Sequence, residues 1–266
     1  MENKILLFIP VFNCEKQIAR VIPKIDSNIQ KYIDEVLIID NRSSDNTVKV
    51  AIAASDSITK KITILQNVEN YSLGGSLKHA FLYALENKYT HIITLHGDDQ
   101  ADIRDFLPIL INQEYTRNDL IIGARFHPKS SLKGYSLIRI LGNRGLNLVC
   151  SLIVKKKVYD LIAGLNFFNV SFLQKKVFLN FPNNLTFDSH LLLYAFNENA
   201  KIKYTPITWC EEDQISNAKV VHQAITILKL LFSYLRQGSA VFLFDKSGNP
   251  KGFTYPSTTV FTRPAL

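Results

Sequence analysis

The feature that most constrains this chain is an alternation in its first half. Short, largely apolar runs at residues 5–9, 36–39, 62–65, 91–95 and 120–123 are separated by stretches with apolar residues at helical spacing. The helical stretches are 15–29, 47–54, 73–86 and 106–113, with Asp45 placed to cap the second of them. Strands that alternate with helices form a doubly wound, mostly parallel sheet, and such sheets bind ligands at the carboxyl ends of their strands. Polar clusters follow the apolar runs in just those places: Asn13, Cys14 and Glu15; Asp40 and Asn41; His96 to Gln100; and Arg125. No G-x-G-x-x-G follows the first run, which argues against an ordinary dinucleotide cofactor.

The second half is less regular. Residues 135–154 and 191–197 read as helices and 201–204 as a short strand. Residues 219–236 read as a basic amphipathic helix with Leu228, Leu231, Phe232 and Leu235 on its apolar side. These elements divide the chain into a catalytic domain at 1–212, an amphipathic helical segment at 213–238 and a loosely ordered tail at 239–266. The three cysteines are far apart and form no CxxC pair, which fits a reducing compartment better than a disulfide framework or zinc site. The N-terminal apolar run is too short for a signal peptide and reads as a buried strand. No run of about 18 apolar residues is uninterrupted, so no membrane-spanning segment is expected. A net charge of +8 calls for an anionic partner. The absence of zinc-finger spacing, an RNP-type strand or an arginine-rich helix argues against nucleic acid.

The loop His96-Gly97-Asp98-Asp99-Gln100 carries the strongest chemical signal. Carboxylates directly after an apolar strand suit a hard divalent cation whose remaining ligands come from a diphosphate. A polar turn with Asp102 capping the next helix is an equal alternative on these residues alone. Side-chain alternation sends His96, Asp98 and Gln100 one way and Asp99 the other.

Four segments in order resemble family 2 glycosyltransferases. Residues 9–15 (IPVFNCE) resemble the opening P-V-Y-N-E-E, and 36–47 (VLIIDNRSSDNT) resemble V-D-D-G-S-x-D-x-T. Residues 70–78 (NYSLGGSLK) are similar to N-x-G-x-G-x-A-x-R, and 96–102 (HGDDQAD) to D-G-D-x-Q-x-D. The later segments IIGARF (121–126), IRILGNR (138–144) and TFDSH (186–190) are most similar to the polyprenyl-phosphate subgroup typified by dolichyl-phosphate mannose synthase.

That resemblance implies a GT-A fold and inverting transfer from a nucleotide-sugar donor, assisted by Mn2+ or Mg2+. Pro10, Phe12, Glu15, Asp40, Gly74, Lys78, Gly97 and Asp98 would form the nucleotide side. Asp98 and Gln100, with His96 as a third ligand, would hold the metal. Arg125 and Arg139 would grip an acceptor phosphate, as planar, permanently charged guanidinium groups can. Asp160 and Asp188 would bind sugar or, for a hydroxyl acceptor, serve as base. Departures from the pattern are His96 for the first aspartate of the metal motif, Asn41 for the second aspartate of its segment, Arg42 for a turn glycine, Asn166 for a basic residue and His190 for a glutamate. The expected acceptor is a polyprenyl phosphate or lipid-linked sugar at the cytoplasmic membrane face, with peripheral membrane contact through 219–236. A soluble or cell-surface glycan acceptor, a nucleotide-sugar-binding protein without transferase activity, and packing of that helix on the domain or in a homodimer are the alternatives.

Overall fold

The computed structural model describes residues 3–161, 163–213 and 220–266. Ten strands and nine α-helices, joined by short 3-10 turns, alternate among these residues. The first half runs β1 (Ile5–Val11), α1 (Glu15–Val21), α2 (Ser27–Gln30), β2 (Glu35–Asp40), α3 (Thr47–Ala54), β3 (Lys61–Asn67), α4 (Ser72–Glu86), β4 (His91–Leu95), α5 (Leu107–Ile111) and β5 (Leu120–Ala124). The second half runs β6 (Ser131–Lys133), α6 (Leu137–Val154), β7 (Leu165–Asn169), α7 (Val170–Leu173), α8 (Phe187–Asn197), β8 (Ile202–Pro206), β9 (Thr208–Cys210), α9 (Val220–Gln237) and β10 (Ser257–Arg263).

Eight strands form one sheet in the order β10-β3-β2-β1-β4-β7-β5-β8, and β6 pairs with β9 beside it. All pairings in the large sheet are parallel except those of β7 and β10. The apolar runs are strands because both of their faces are covered. Leu6 and Phe8 enter a core shared with α4, α6, α8 and α9, while Ile5, Leu7 and Ile9 enter a second core with α1, α2, α3 and α5. Register aligns Val11 with Asp40 and Phe8 with Thr94, so β1, β2 and β4 present their carboxyl ends together.

Several sequence expectations are corrected. The single helix expected at 15–29 is broken at Pro23, which lacks a donor N–H, and restarts where Asp26 accepts from the amides of Asn28 and Ile29. The unassigned residues 165–169 form β7, antiparallel between β4 and β5. The tail expected to be loosely ordered instead ends in β10, which pairs along β3. Tyr255 is buried ahead of it, edge-on to Tyr71, with its hydroxyl bonded to Asn183. An exposed strand edge invites pairing, and β10 satisfies the outer edge of β3 from within the chain. Finally, α6 is long and apolar enough to cross a membrane by length and composition, because Arg139 and Arg144 interrupt it without outweighing its aliphatic residues. Lys219, where the sequence reading starts the last helix, lies outside the described residues.

Candidate active site

The metal-motif loop leaves β4 and folds back over the end of β1. Gly97 donates its amide to the Pro10 carbonyl at 3.1 Å, and a Cβ at this position would sit 2.6 Å from Val11 Cγ1. Only glycine allows that approach, which fixes Pro10 and the loop against each other. His96 donates its backbone N–H to the Gly164 carbonyl at 2.8 Å, and its ring lies so close that a Cβ on Gly164 would be 3.0 Å from Nδ1. The loop is therefore bounded by β1 on one side and Gly164 on the other.

Asp99 turns away from its neighbours, as expected, but the cause is a left-handed backbone (φ 61°) rather than strand alternation. Its carboxylate accepts from Arg20 Nε at 2.7 Å and Lys24 Nζ at 2.5 Å, both on the segment after β1. Arg20 also forms a fork with Asp213. Asp98 has no such neighbour. Its Oδ1 accepts the Gln100 amide at 3.2 Å, and no lysine or arginine pairs with it among the described residues. Burial raises its pKa, opposed by the adjacent His96; burial lowers that of His96, which favours the neutral, ligating imidazole. A carboxylate without a counter-ion, a neutral imidazole and the Gln100 amide fit a divalent cation that recruits further ligands from a diphosphate. Among the described residues no group of three or more His, Cys, Asp or Glu forms a cage by itself.

Gln100 Nε2 donates to Glu211 Oε1 at 3.2 Å, and Arg139 Nη1 donates to Glu211 Oε2 at 2.5 Å. One carboxylate thus joins the loop after β4 to α6. Residues 209–211 run along the same loop: Cys210 donates its amide to the Gln100 carbonyl, and Ala101 bridges Trp209. Arg139 also lies over the Tyr135 ring at 4.3 Å. Sequence reading missed Glu211, Arg20 and Lys24. The acidic run Glu211-Glu212-Asp213 in a basic chain, and two cations four residues apart after the first strand, were the available signals.

The nucleotide-side residues divide. Phe12 is exposed just beyond β1, and Glu15 accepts the Asn46 amide at 3.0 Å; with Pro10 they make the wall at the carboxyl end of that strand. Asp40 is fully buried at the foot of the same wall, accepting from the Ser43 amide and from Gln66 Nε2 at 2.9 Å. It shapes the turn at Arg42, which takes the left-handed conformation (φ 69°) where the resemblance has glycine. Gly74 and Lys78 are corrected. Gly74 faces Pro182 and Asn183, whose carbonyls would be within 2.8 Å of a Cβ. Lys78 is fully buried, donating to the carbonyls of Leu179 and Phe181 and to Asn183 Oδ1, and burial lowers its pKa to about 8. Both brace the 179–183 loop instead of lining a nucleotide site.

The acceptor-side residues also rearrange. Arg125 and Asp160 bind each other, with Nε–Oδ2 and Nη2–Oδ1 both at 2.8 Å, and the Arg125 amide donates to the same carboxylate at 2.9 Å. The buried guanidinium lies 4.9 Å over the Trp209 ring. The sequence reading put Arg125 on a phosphate and Asp160 on a sugar; in this structure the two side chains hold each other. Asp188, in the first turn of α8, faces a small cavity lined by Leu120, Ile122, Leu161, Ala163, Asn166 and Leu192. Burial raises its pKa to about 7.

An acidic loop at the joined carboxyl ends of β1, β2 and β4 is the arrangement expected of a nucleotide-sugar transferase of the GT-A type. The chain matches the glycosyl transferase family 2 model over residues 7–176 and belongs to that family. It is 26% identical over 188 residues to the UDP-N-acetylglucosamine–dolichyl-phosphate N-acetylglucosaminyltransferase of Methanococcus voltae, covering 65% of this chain and 72% of that one. It is 19% identical over 213 residues to the polyprenol monophosphomannose synthase of Mycolicibacterium smegmatis, covering 79% of each. The crystal structure of glucosyl-3-phosphoglycerate synthase from Mycobacterium tuberculosis with UDP superposes with a TM-score of 0.64 at 18% identity, covering 99% of this chain and 90% of that one. The same enzyme has been solved with Mn2+, UDP and its product.

Proposed function

We propose that this glycosyltransferase moves a sugar, with inversion, from a nucleotide diphosphate to the phosphate of a polyprenyl lipid at the cytoplasmic membrane face. The observation that carries the reading is the Gln100–Glu211–Arg139 link, which places a cationic helix against the metal-motif loop. The names of the Methanococcus and Mycolicibacterium relatives support a lipid-phosphate acceptor. Asp98 and Gln100, with His96 beside them, would hold Mn2+ or Mg2+. A bound cation there would neutralise charge on the departing diphosphate.

This chain's residues do the rest by positioning. Pro10, Phe12 and Glu15 border the nucleoside, and Asp40 holds the wall behind them. Arg139 orients the acceptor phosphate, with Glu211 setting the direction of its guanidinium. The phosphate oxygen forms a bond to the anomeric carbon as the bond from that carbon to the diphosphate breaks. The acceptor is already anionic, so no proton has to be removed.

A hydroxyl acceptor is the second reading, favoured by one observation: Asp188 has a pKa near neutrality, as a general base requires. Incubation with labelled UDP- and GDP-sugars, Mn2+ or Mg2+, and either a short-chain polyprenyl phosphate or a soluble glycan decides between them. Label transferred to the polyprenyl phosphate, and lost with EDTA, supports the first reading. Transfer only to the glycan overturns it.

A further inference from the structure

Helices α6 and α9 touch one another and pack on the same side of the sheet, yet each has a second apolar face that nothing among the described residues covers. In α6 only Asn147 and Cys150 are buried. Leu137, Leu141, Leu148 and Leu152 recur at intervals of four, seven and four residues and form one stripe, with Ile138 beside it; these five are 60–84% exposed. In α9 the inner face is Ile227, Leu230 and Leu231, and the outer one is Val221, Ile225, Phe232 and Leu235. The single apolar side read from sequence is therefore two sides: Leu231 belongs to the core, while Phe232 and Leu235 face out. Leu243 and Phe244, just beyond α9, are exposed as well.

Charge distinguishes the occupants. Neither helix contains a carboxylate, and Arg144, Lys229 and Arg236 are exposed on them. Lys155, Lys156 and Lys157 follow α6 directly and are exposed too. Two copies meeting through this face about a twofold axis would set cations against cations. An anionic bilayer offers the complement to both parts: headgroups for the cations and an acyl boundary for the aliphatic stripes.

We infer that the outer faces of α6 and α9 form a docking surface for a membrane rich in anionic lipid. The helices lie along the headgroup layer with their leucines beneath it. The inner side of α6 carries Arg139 towards Glu211, so docking brings a lipid-borne phosphate to the site from the bilayer plane. The choice of a membrane rests in part on the lipid-phosphate reading above, and the two can fail separately.

The test is flotation of the full chain with vesicles of phosphatidylcholine alone or with about one-third phosphatidylglycerol. Neither donor nor acceptor is present, so the assay reads docking whatever the transferase activity. Binding to the anionic vesicles at least tenfold tighter than to neutral ones is expected, with roughly fivefold weakening for each cation removed from 155–157. The triple variant Leu148→Gln, Leu152→Gln, Phe232→Gln should lose flotation while keeping the circular dichroism and Tm of the wild type, since these side chains touch no core. A folded wild-type chain that stays at the bottom with anionic vesicles overturns the proposal. So does a dimer by sedimentation that the triple variant dissociates, without vesicle binding. Resistance of bound protein to alkaline carbonate would also overturn it, in favour of a spanning α6. Transfer to a short-chain, water-soluble polyprenyl phosphate without vesicles tests the acceptor reading on its own.

Discussion

Burial holds the Asp188 carboxyl at a pKa of about 7, against 3.8 for a free side chain. Below pH 3.8 both folded and unfolded chains keep this proton and its contribution to stability is fully present. As pH rises from 3.8 to about 7 the unfolded chain releases the proton first, so that contribution is lost through this window and is gone above it. D188N should therefore flatten the pH dependence of stability by on the order of 4 kcal/mol between those limits. Urea titrations at pH 4, 5.5 and 8 would measure it; parallel wild-type and variant curves would refute the buried, protonated carboxyl. The same variant addresses chemistry: a phosphate acceptor leaves its kcat within about tenfold, whereas a hydroxyl acceptor loses the usual general-base factor of about 100 or more. Arg125 and Asp160 make a second residue-scale case. D160A takes the paired carboxylate from a buried guanidinium, so it should cost about 3–5 kcal/mol in chemical denaturation. If the pair instead met substrate, D160A would raise KM and leave the denaturation midpoint in place.

At the scale of elements, the strand–helix alternation was legible because both faces of the sheet are covered and buried strands read as continuous apolar runs. The residues closing the site were less so. Glu211 acts through side chains more than 70 positions away, Arg139 and Gln100, and no local pattern records that. The pairing of Arg125 with Asp160 was hidden for the same reason, although both residues stood out singly. The tail was misread because its Gly, Pro and Ser content describes the turns before β10, not the pairing that the edge of β3 supplies. Tyr255 anchors this closure, buried against Tyr71 and Phe253. Y255A should cost about 3–5 kcal/mol and expose the β10 amides to faster hydrogen exchange. Unchanged protection of Ser257–Arg263 would show that the strand holds by backbone pairing alone.

Across the whole molecule, five separate segments meet at the carboxyl ends of β1, β2 and β4. They are the turn after β1, the turn after β2, the acidic loop after β4, the chain at Gly164 and residues 209–213. Their order along the chain carried the family resemblance, while their separation in sequence hid which side chains share a hydrogen bond or an ion pair. A ligand that binds only this assembled edge must stabilise the entire fold. At 100 times its Kd a nucleotide adds about 2.7 kcal/mol, which for a chain of this size raises Tm by roughly 5 °C or more. A panel of UDP, GDP and their sugars, each with Mn2+, Mg2+ or EDTA, should yield one base whose shift is largest with a cation and falls on its removal. D98N should retain the wild-type Tm without ligand, because Asp98 pairs with no basic residue among those described, and should lose the cation-dependent part of the shift. A D98N protein that keeps the full cation-dependent shift would place the metal elsewhere on this edge. One with a much lower Tm in the absence of ligand would make Asp98 a structural residue of the loop.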